Sequence, residues 1–179
     1  HLPGEAGVWV FILGDLALFA AFFITFAWDR AGDVSGYRAA QLTLNQHLGA
    51  LNTFLLLTSS WLVALAVHRA REGRVSVARR LLLGAVACAA AFACVKGFEY
   101  TEKFEAGIFL TTHDFYMYYF MFTGLHLLHV LLGAGVLLYL RGALHREPLP
   151  LATLEGGSSF WHLVDTLWIV LFALLYLVR

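Results

Sequence analysis

Five unbroken apolar segments govern what this chain can become. They run roughly over residues 8–28, 48–67, 81–100, 115–140 and 160–178. Each approaches the ~20 residues that a helix needs to cross ~30 Å of hydrocarbon. In lipid every backbone N–H and C=O must be paired internally, which leaves only helices and closed barrels. Continuous runs, rather than short alternating ones, exclude the barrel. The sequence therefore predicts an all-α membrane protein, one five-helix transmembrane bundle across residues 1–179. Only 13% of the residues are charged, against about 25% in a soluble domain. Twelve basic residues balance twelve acidic ones, so charge points to no nucleic-acid partner. The first segment is too long for a signal peptide and no small-residue cleavage site follows it, so it is read as a retained span. No repeat is visible and no proline interrupts a span, which speaks against a transporter built from inverted repeats. Cys88 and Cys94 are six apart, on roughly opposite sides of one helix, which disfavours a disulfide.

The connections set the orientation. Residues 68–80 hold Arg69, Arg71, Arg74, Arg79 and Arg80, and 141–159 add Arg141 and Arg146 beside Pro148, Pro150 and Gly156-Gly157. The connections over 29–47 and 101–114 hold Arg30, Arg38 and Lys103. Basic loops stay on the cytoplasmic side, so the N-terminus is expected inside and the C-terminus outside. Small residues mark close helix contacts, and Gly133 and Gly135 are candidates for them. The aromatic run from Phe115 to Phe120 reads as a belt at the outer interface. Thr58, Ser59 and Ser60 lie mid-span, where hydroxyls bond the preceding turn or a neighbouring helix.

Ionisable groups within the spans are costly and call for an account. Lys96 and Glu99 are three apart and share a helix face. They read either as an ion pair with Lys96 snorkelling to the edge, or as a carboxyl facing a cleft. His126 and His129 share a face of the fourth span, about 15 and 20 Å from its outer end. Four readings stay open for them: satisfied polar links, haem ligands, part of a di-metal site, or proton handling. His162 and Asp165 are one turn apart in the last span, flanked by Trp161 and Trp168, and a hydrogen bond from His162 or His129 to Asp165 is expected. A bis-histidine haem needs two ligands at one level. If the last span starts at 160, His162 lies one turn in and misses His129 by several Å. A di-iron carboxylate site would want paired Glu-x-x-His motifs, and the chain lacks them. No redox centre is expected here.

Thr123-Gly124-Leu125-His126-Leu127-Leu128-His129-Val130, then Phe160-Trp161-His162-Leu163-Val164-Asp165-Thr166-Leu167-Trp168, with Phe98-Glu99-Tyr100 before both, resemble subunit III of haem-copper oxidases. The motifs occur in order and the resemblance covers essentially the whole chain. Mitochondrial-type members have seven helices, and this chain resembles shorter bacterial ones. The stretches from Pro3 to Asp15 and from Leu51 to Trp61, with Lys96 before Glu99, look most like the NorE-like branch associated with nitric oxide reductases. The alternative is subunit III of a proton-pumping cytochrome c oxidase. The resemblance implies a non-redox accessory subunit of the bacterial inner membrane, without metal or haem of its own. It would pack on the catalytic haem-copper subunit, which carries haem and metal, hold structural phospholipid in a V-shaped cleft and support proton uptake. Carried over, Glu99 and His129, with Lys96 and His126 beside them, would line the cleft. His162 and Asp165, with Trp161 and Trp168, would brace helices, and Arg69, Arg71, Arg74, Arg79 and Arg80 would meet lipid head groups.

Overall fold

A computed structural model describes residues 6–146 and 151–178. Pro3, Gly4 and Glu5 of the stretch from Pro3 to Asp15, Pro148, Pro150 and Arg179 lie outside the described residues. The elements are α1 (Ala6–Gly32), α2 (Val34–Gln41), α3 (Gln46–Arg71), α4 (Val75–Glu105), α5 (Asp114–Ala143) and α6 (Leu151–Phe172), the last running into a π-helical turn over Ala173–Leu177. Among the described residues there is no strand. Five helices are long and apolar enough to cross a membrane, as the apolar segments predict.

Local chemistry sets the boundaries. Asn45 caps α3 by accepting from the backbone N–H groups of His47 and Leu48. Gly73 and Gly107 end α3 and α4 with positive φ of 76° and 73°. There the Arg74 N–H bonds back to the Arg69 carbonyl, and the Ile108 N–H to Lys103, closures that need the left-handed glycine.

The buried positions of α3 are Gly49, Asn52, Leu56, Ser59, Val63, Ala66 and Ala70. Those of α4 are Ala78, Leu82, Ala85, Ala89, Phe92, Lys96, Glu99 and Lys103. Both series step alternately by three and four residues. This is the 3.5-residue period of a coiled-coil seam, which winds two helices left-handedly about each other. Small side chains along the seam let the backbones close up, and the Ser59 hydroxyl crosses it to the Ala85 carbonyl at 3.1 Å. Helix α3 also packs on α6, α4 on α5, and α5 on α6, so α3–α6 form a closed four-helix ring. Helix α1 leans on its outside through ring contacts, edge-on from Phe11 to Phe160 and Phe23 to Phe122 and tilted from Phe26 to Phe122.

Three expectations change. Helix α4 runs on to Glu105 and α6 starts at Leu151, nine residues before the apolar run. Beyond the hydrocarbon a helix no longer needs apolar side chains, so polar residues extend both. Inside the first connection α2 forms, capped by Asp33, with Tyr37, Ala40 and Gln41 buried. The aromatic run is not an outward belt: Phe115, Tyr116, Tyr118, Tyr119 and Phe120 are buried and only Met117 is exposed. Phe115 and Tyr118 pack on Phe26 of α1, and Tyr119 and Phe120 on Tyr100 of α4.

Candidate functional site: a buried polar axis

The ring of helices encloses polar side chains from every layer. Lys96 is 0% and Glu99 1% exposed. Lys96 Nζ lies 2.8 Å from Glu99 Oε2 and donates to the Tyr176 hydroxyl at 2.9 Å. The Tyr176 hydroxyl in turn donates to Glu99 Oε1. The ammonium also sits over the rings of Trp168, Tyr119 and Tyr176, at 5.0, 5.2 and 5.4 Å from their centroids. The π-helical turn carries Tyr176, and such turns re-aim side chains out of α-helical register. Lys96 therefore does not snorkel: both side chains are buried, and α4 continues six residues, about 9 Å, beyond Glu99.

His126 is 0% exposed and its Nε2 lies 3.0 Å from the Val164 carbonyl of α6. Its ring meets Phe92 and Trp168 with centroids 5.6 and 5.2 Å away. His129, one turn on, faces the other way: Nε2 lies 3.0 Å from Asp15 Oδ1 of α1, and Nδ1 2.8 Å from the Leu125 carbonyl. The pair thus ties α5 to α6 and to α1 respectively. Neither lines an open cleft.

In α6, His162 Nδ1 lies 2.7 Å from Ser60 Oγ and Nε2 3.2 Å from Ser158 Oγ. The expected bonds from His162 or His129 to Asp165 do not form. Ser60 and Asp15 take those nitrogens, and both Asp165 oxygens are buried without a partner among the described residues. Because α6 begins at Leu151, His162 stands about 16 Å into its helix rather than one turn in. Depth therefore does not separate it from His129; direction does, since one faces α3 and the other α1. Trp168 donates to the Thr53 hydroxyl at 3.0 Å, and Trp161 presses on Gly133, both rings fully buried. Among the described residues no three His, Cys, Asp or Glu side chains group as metal ligands would.

The arginines lie at one end of the bundle and are only partly free. Arg69 pairs with Glu72 at 2.9 Å and Arg74 lies 3.7 Å from the same carboxylate. Arg71 pairs with Glu155 at 2.7 Å, Arg79 donates to the Arg141 carbonyl at 3.2 Å, and Arg80 is exposed. At this end two openings occur. An apolar groove of about 640 Å³ separates α1 from α5 and α6, between Gly7, Phe11, Tyr139, Gly157 and Phe160. A smaller polar pocket of about 240 Å³ is lined by Arg71, Glu155, Ser158, Ser159 and His162.

Sequence reasoning foresaw that Ser60 would bond across helices but missed Asp15, Tyr119 and Tyr176 as partners of these groups. Asp15 carried a legible signal, a lone acid inside the first apolar span. Tyr176 carried none, because only the local π-turn brings its hydroxyl to Glu99.

A profile of the family described as Cytochrome c oxidase subunit III matches residues 4–178, nearly the whole chain. The chain belongs to this family. It is 29% identical to the quinol oxidase subunit 3 of Bacillus subtilis, over 96% of this chain and 85% of that one. It is 29% identical to a probable cytochrome c oxidase subunit 3 of Nocardia farcinica, over 98% and 88%. It is likewise 29% identical to the haem-copper oxidase subunit I+III of Aeropyrum pernix, covering 97% of this chain but only 22% of that longer protein. Membership of the subunit III family accounts for the order of the glutamate, histidine-pair and Trp-His-Leu-Val-Asp motifs. Lys96, Glu99 and His126 lie inside the ring of helices, whereas His129 turns to α1 and His162 lines the polar pocket at the arginine-rich end.

Proposed function

We propose that this chain is the non-redox accessory subunit III of a bacterial haem-copper respiratory reductase, held in the inner membrane against the catalytic subunit. The observation that carries the reading is the family match along residues 4–178. Haem and metal would belong to the partner. The chain would contribute a rigid bundle, ordered phospholipid and support for proton supply. The apolar groove beside α1 has the chemistry of an acyl chain's surroundings, and the arginine end has that of anionic head groups. The buried set of Lys96, Glu99, His126 and His129 would hold the helices in the geometry that the partner requires. The orientation would be N-terminus inside, since seven Lys and Arg side chains lie in the connections at one end and three at the other.

The relatives' printed names are those of quinol and cytochrome c oxidase subunits, which favours an oxygen-reducing partner. A nitric oxide reductase partner is the second reading, carried by the resemblance of residues 3–15 and 51–61, and of Lys96 before Glu99, to the NorE-like branch. Purification of the chain from native membranes in mild detergent tests both. A co-purifying catalytic chain with haem and copper is the expected result for an oxidase. Haem with non-haem iron and no copper makes the chain the accessory of a nitric oxide reductase. A chain that comes out alone and itself carries haem overturns the reading.

A further inference from the structure

Of the histidines His126, His129 and His162 within the spans, two are fixed by groups that only accept. His126 Nε2 faces the Val164 carbonyl and so carries hydrogen, while its Nδ1 is buried without a partner among the described residues. A second proton there would make a buried charge with an unpaired donor, which is costly. His129 faces the Leu125 carbonyl with Nδ1 and the Asp15 carboxyl with Nε2. A proton lost from Nδ1 would set a lone pair against a carbonyl, and one lost from Nε2 has Asp15 to receive it.

His162 meets hydroxyls on both sides. Ser60 Oγ of α3 lies 2.7 Å from Nδ1, and Ser158 Oγ, one turn earlier in α6, lies 3.2 Å from Nε2. A hydroxyl donates or accepts by turning its O–H bond. The neutral ring, in either tautomer, gives one hydrogen and takes one. The imidazolium gives two, and both serine oxygens accept. Neither state leaves a ring nitrogen unpaired, and the passage between them turns only hydroxyl hydrogens.

The ring is half-buried and lines the pocket of about 240 Å³ with Ser158, Ser159, Arg71 and Glu155. From Glu155 to His162 is two turns of α6, about 10 Å. The pocket is polar and exceeds the ~30 Å³ of a water in the liquid, so it is roomy enough for several. Its two charges, Arg71 and Glu155, offset each other at 2.7 Å. Farther along α3, His68 and Arg69 pair with Glu72. Asp165 lies one turn beyond the ring in α6 and is buried. From α4 and α5, Lys96 is held by Glu99 and Tyr176, His126 by Val164 and His129 by Asp15. No charged group is bonded to the His162 ring among the described residues.

We propose that His162 is a proton-binding site of the α3–α6 interface, loaded from the arginine-rich end through water in this pocket and Ser158. A hydronium in the pocket gives a proton to the Ser158 oxygen, and Ser158 passes its own hydroxyl hydrogen to Nε2. The products are water and an imidazolium held by Ser60 and Ser158. Release runs back along the same path. Ser158 is a relay and Ser60 a positioning residue. Use of the held proton in a partner's turnover rests on the accessory-subunit reading, whereas its binding to the ring does not.

Solid-state NMR tests the site on the full chain, labelled with nitrogen-15 in its histidine rings and kept in whatever membrane complex it is purified with. Spectra of His126→Gln, His129→Gln and His162→Gln assign the three rings by difference. As pH falls, both His162 nitrogens are expected to reach imidazolium shifts in one step, within about two units of the ordinary value of about 6.5. His126 and His129 are expected to hold their signals across that step. Ser158→Ala deletes one oxygen and with it one acceptor of the imidazolium. Its midpoint is expected to fall by about one unit, a tenfold weaker hold on the proton. A histidine that only braces helices keeps one neutral tautomer throughout. That result, or a midpoint unmoved in Ser158→Ala, overturns the proposal. Absence of a catalytic partner from the preparation overturns the accessory reading and leaves the titration intact.

Discussion

At Lys96 a full positive charge has no exposed surface, one carboxylate, one phenol and three ring faces to hold it. Removing one partner of such a pair is far worse than removing both, because the survivor stays buried and unpaired. Lys96→Met should therefore destabilise the bundle by about 3–5 kcal/mol. Lys96→Met with Glu99→Gln should recover most of that loss. Thermal unfolding in detergent reads both, and equal melting of the single and double variants would contradict the pairing. A second charge acts outside the spans. Asp33 caps α2 by accepting from the Gly36 N–H at 3.0 Å, with His113 and Ser35 beside it. The Gly36 bond first, and then these neighbours, hold its carboxyl below the usual 3.8. A carboxyl with a lowered folded value stabilises above its unfolded value, and the contribution disappears as pH falls through the folded one. Protection of the first-turn amides of α2, measured relative to their intrinsic exchange rates, should fall only below pH 3.8. Protection already lost near neutrality would point to His113 instead. The sequence already marked Lys96, Glu99, His126, His129, His162 and Asp165 as the polar side chains of the interior. Beyond the Lys96–Glu99 pair, three residues apart, it did not reveal who bonds to whom, because partners 38 to 114 residues apart are fixed by packing, not by spacing.

At the scale of the helix, two glycines one turn-fraction apart behave oppositely. A methyl group at Gly133 would stand 2.7 Å from the Trp161 ring, whereas at Gly135 nothing lies within 4 Å. Gly133→Ala should cost about 1–3 kcal/mol through displacement of Trp161. Gly135→Ala should be neutral or gain up to about 1 kcal/mol from helix propensity. Comparison of the two melting temperatures, with Trp161 fluorescence as a local probe, decides the matter. Both glycines look alike in sequence, since composition marks a small residue but not the face it occupies. The five crossing helices were legible because the membrane forces unbroken apolar runs. Their polar extensions, Thr101–Glu105 on α4 and the first turns of α6 up to Ser159, were not. Outside hydrocarbon the same residues fit a loop or a helix equally well.

For the whole molecule, five crossings leave the first and last helices running in the same direction, and Arg30 in the last turn of α1 reaches the Val178 carbonyl at 3.3 Å. The arginine-rich connections then share the opposite end with the start of α1. A reporter enzyme active only outside the cytoplasm should work when fused after Val178 and fail when inserted at Gly73 in the α3–α4 turn. The reverse pattern would invert the proposed orientation. The α3–α4 seam has a consequence for how the family can change over evolutionary time. One residue inserted within α3 would turn everything beyond it by about 100°, carrying Ser59, Val63 and Ala66 out of the seam and Ser60 away from His162. Such an insertion cannot be repaired locally, since the three-and-four rhythm runs from Gly49 to Ala70. Changes of length are therefore confined to the connections, while within the seam lineages can diverge only by exchanging one side chain for another.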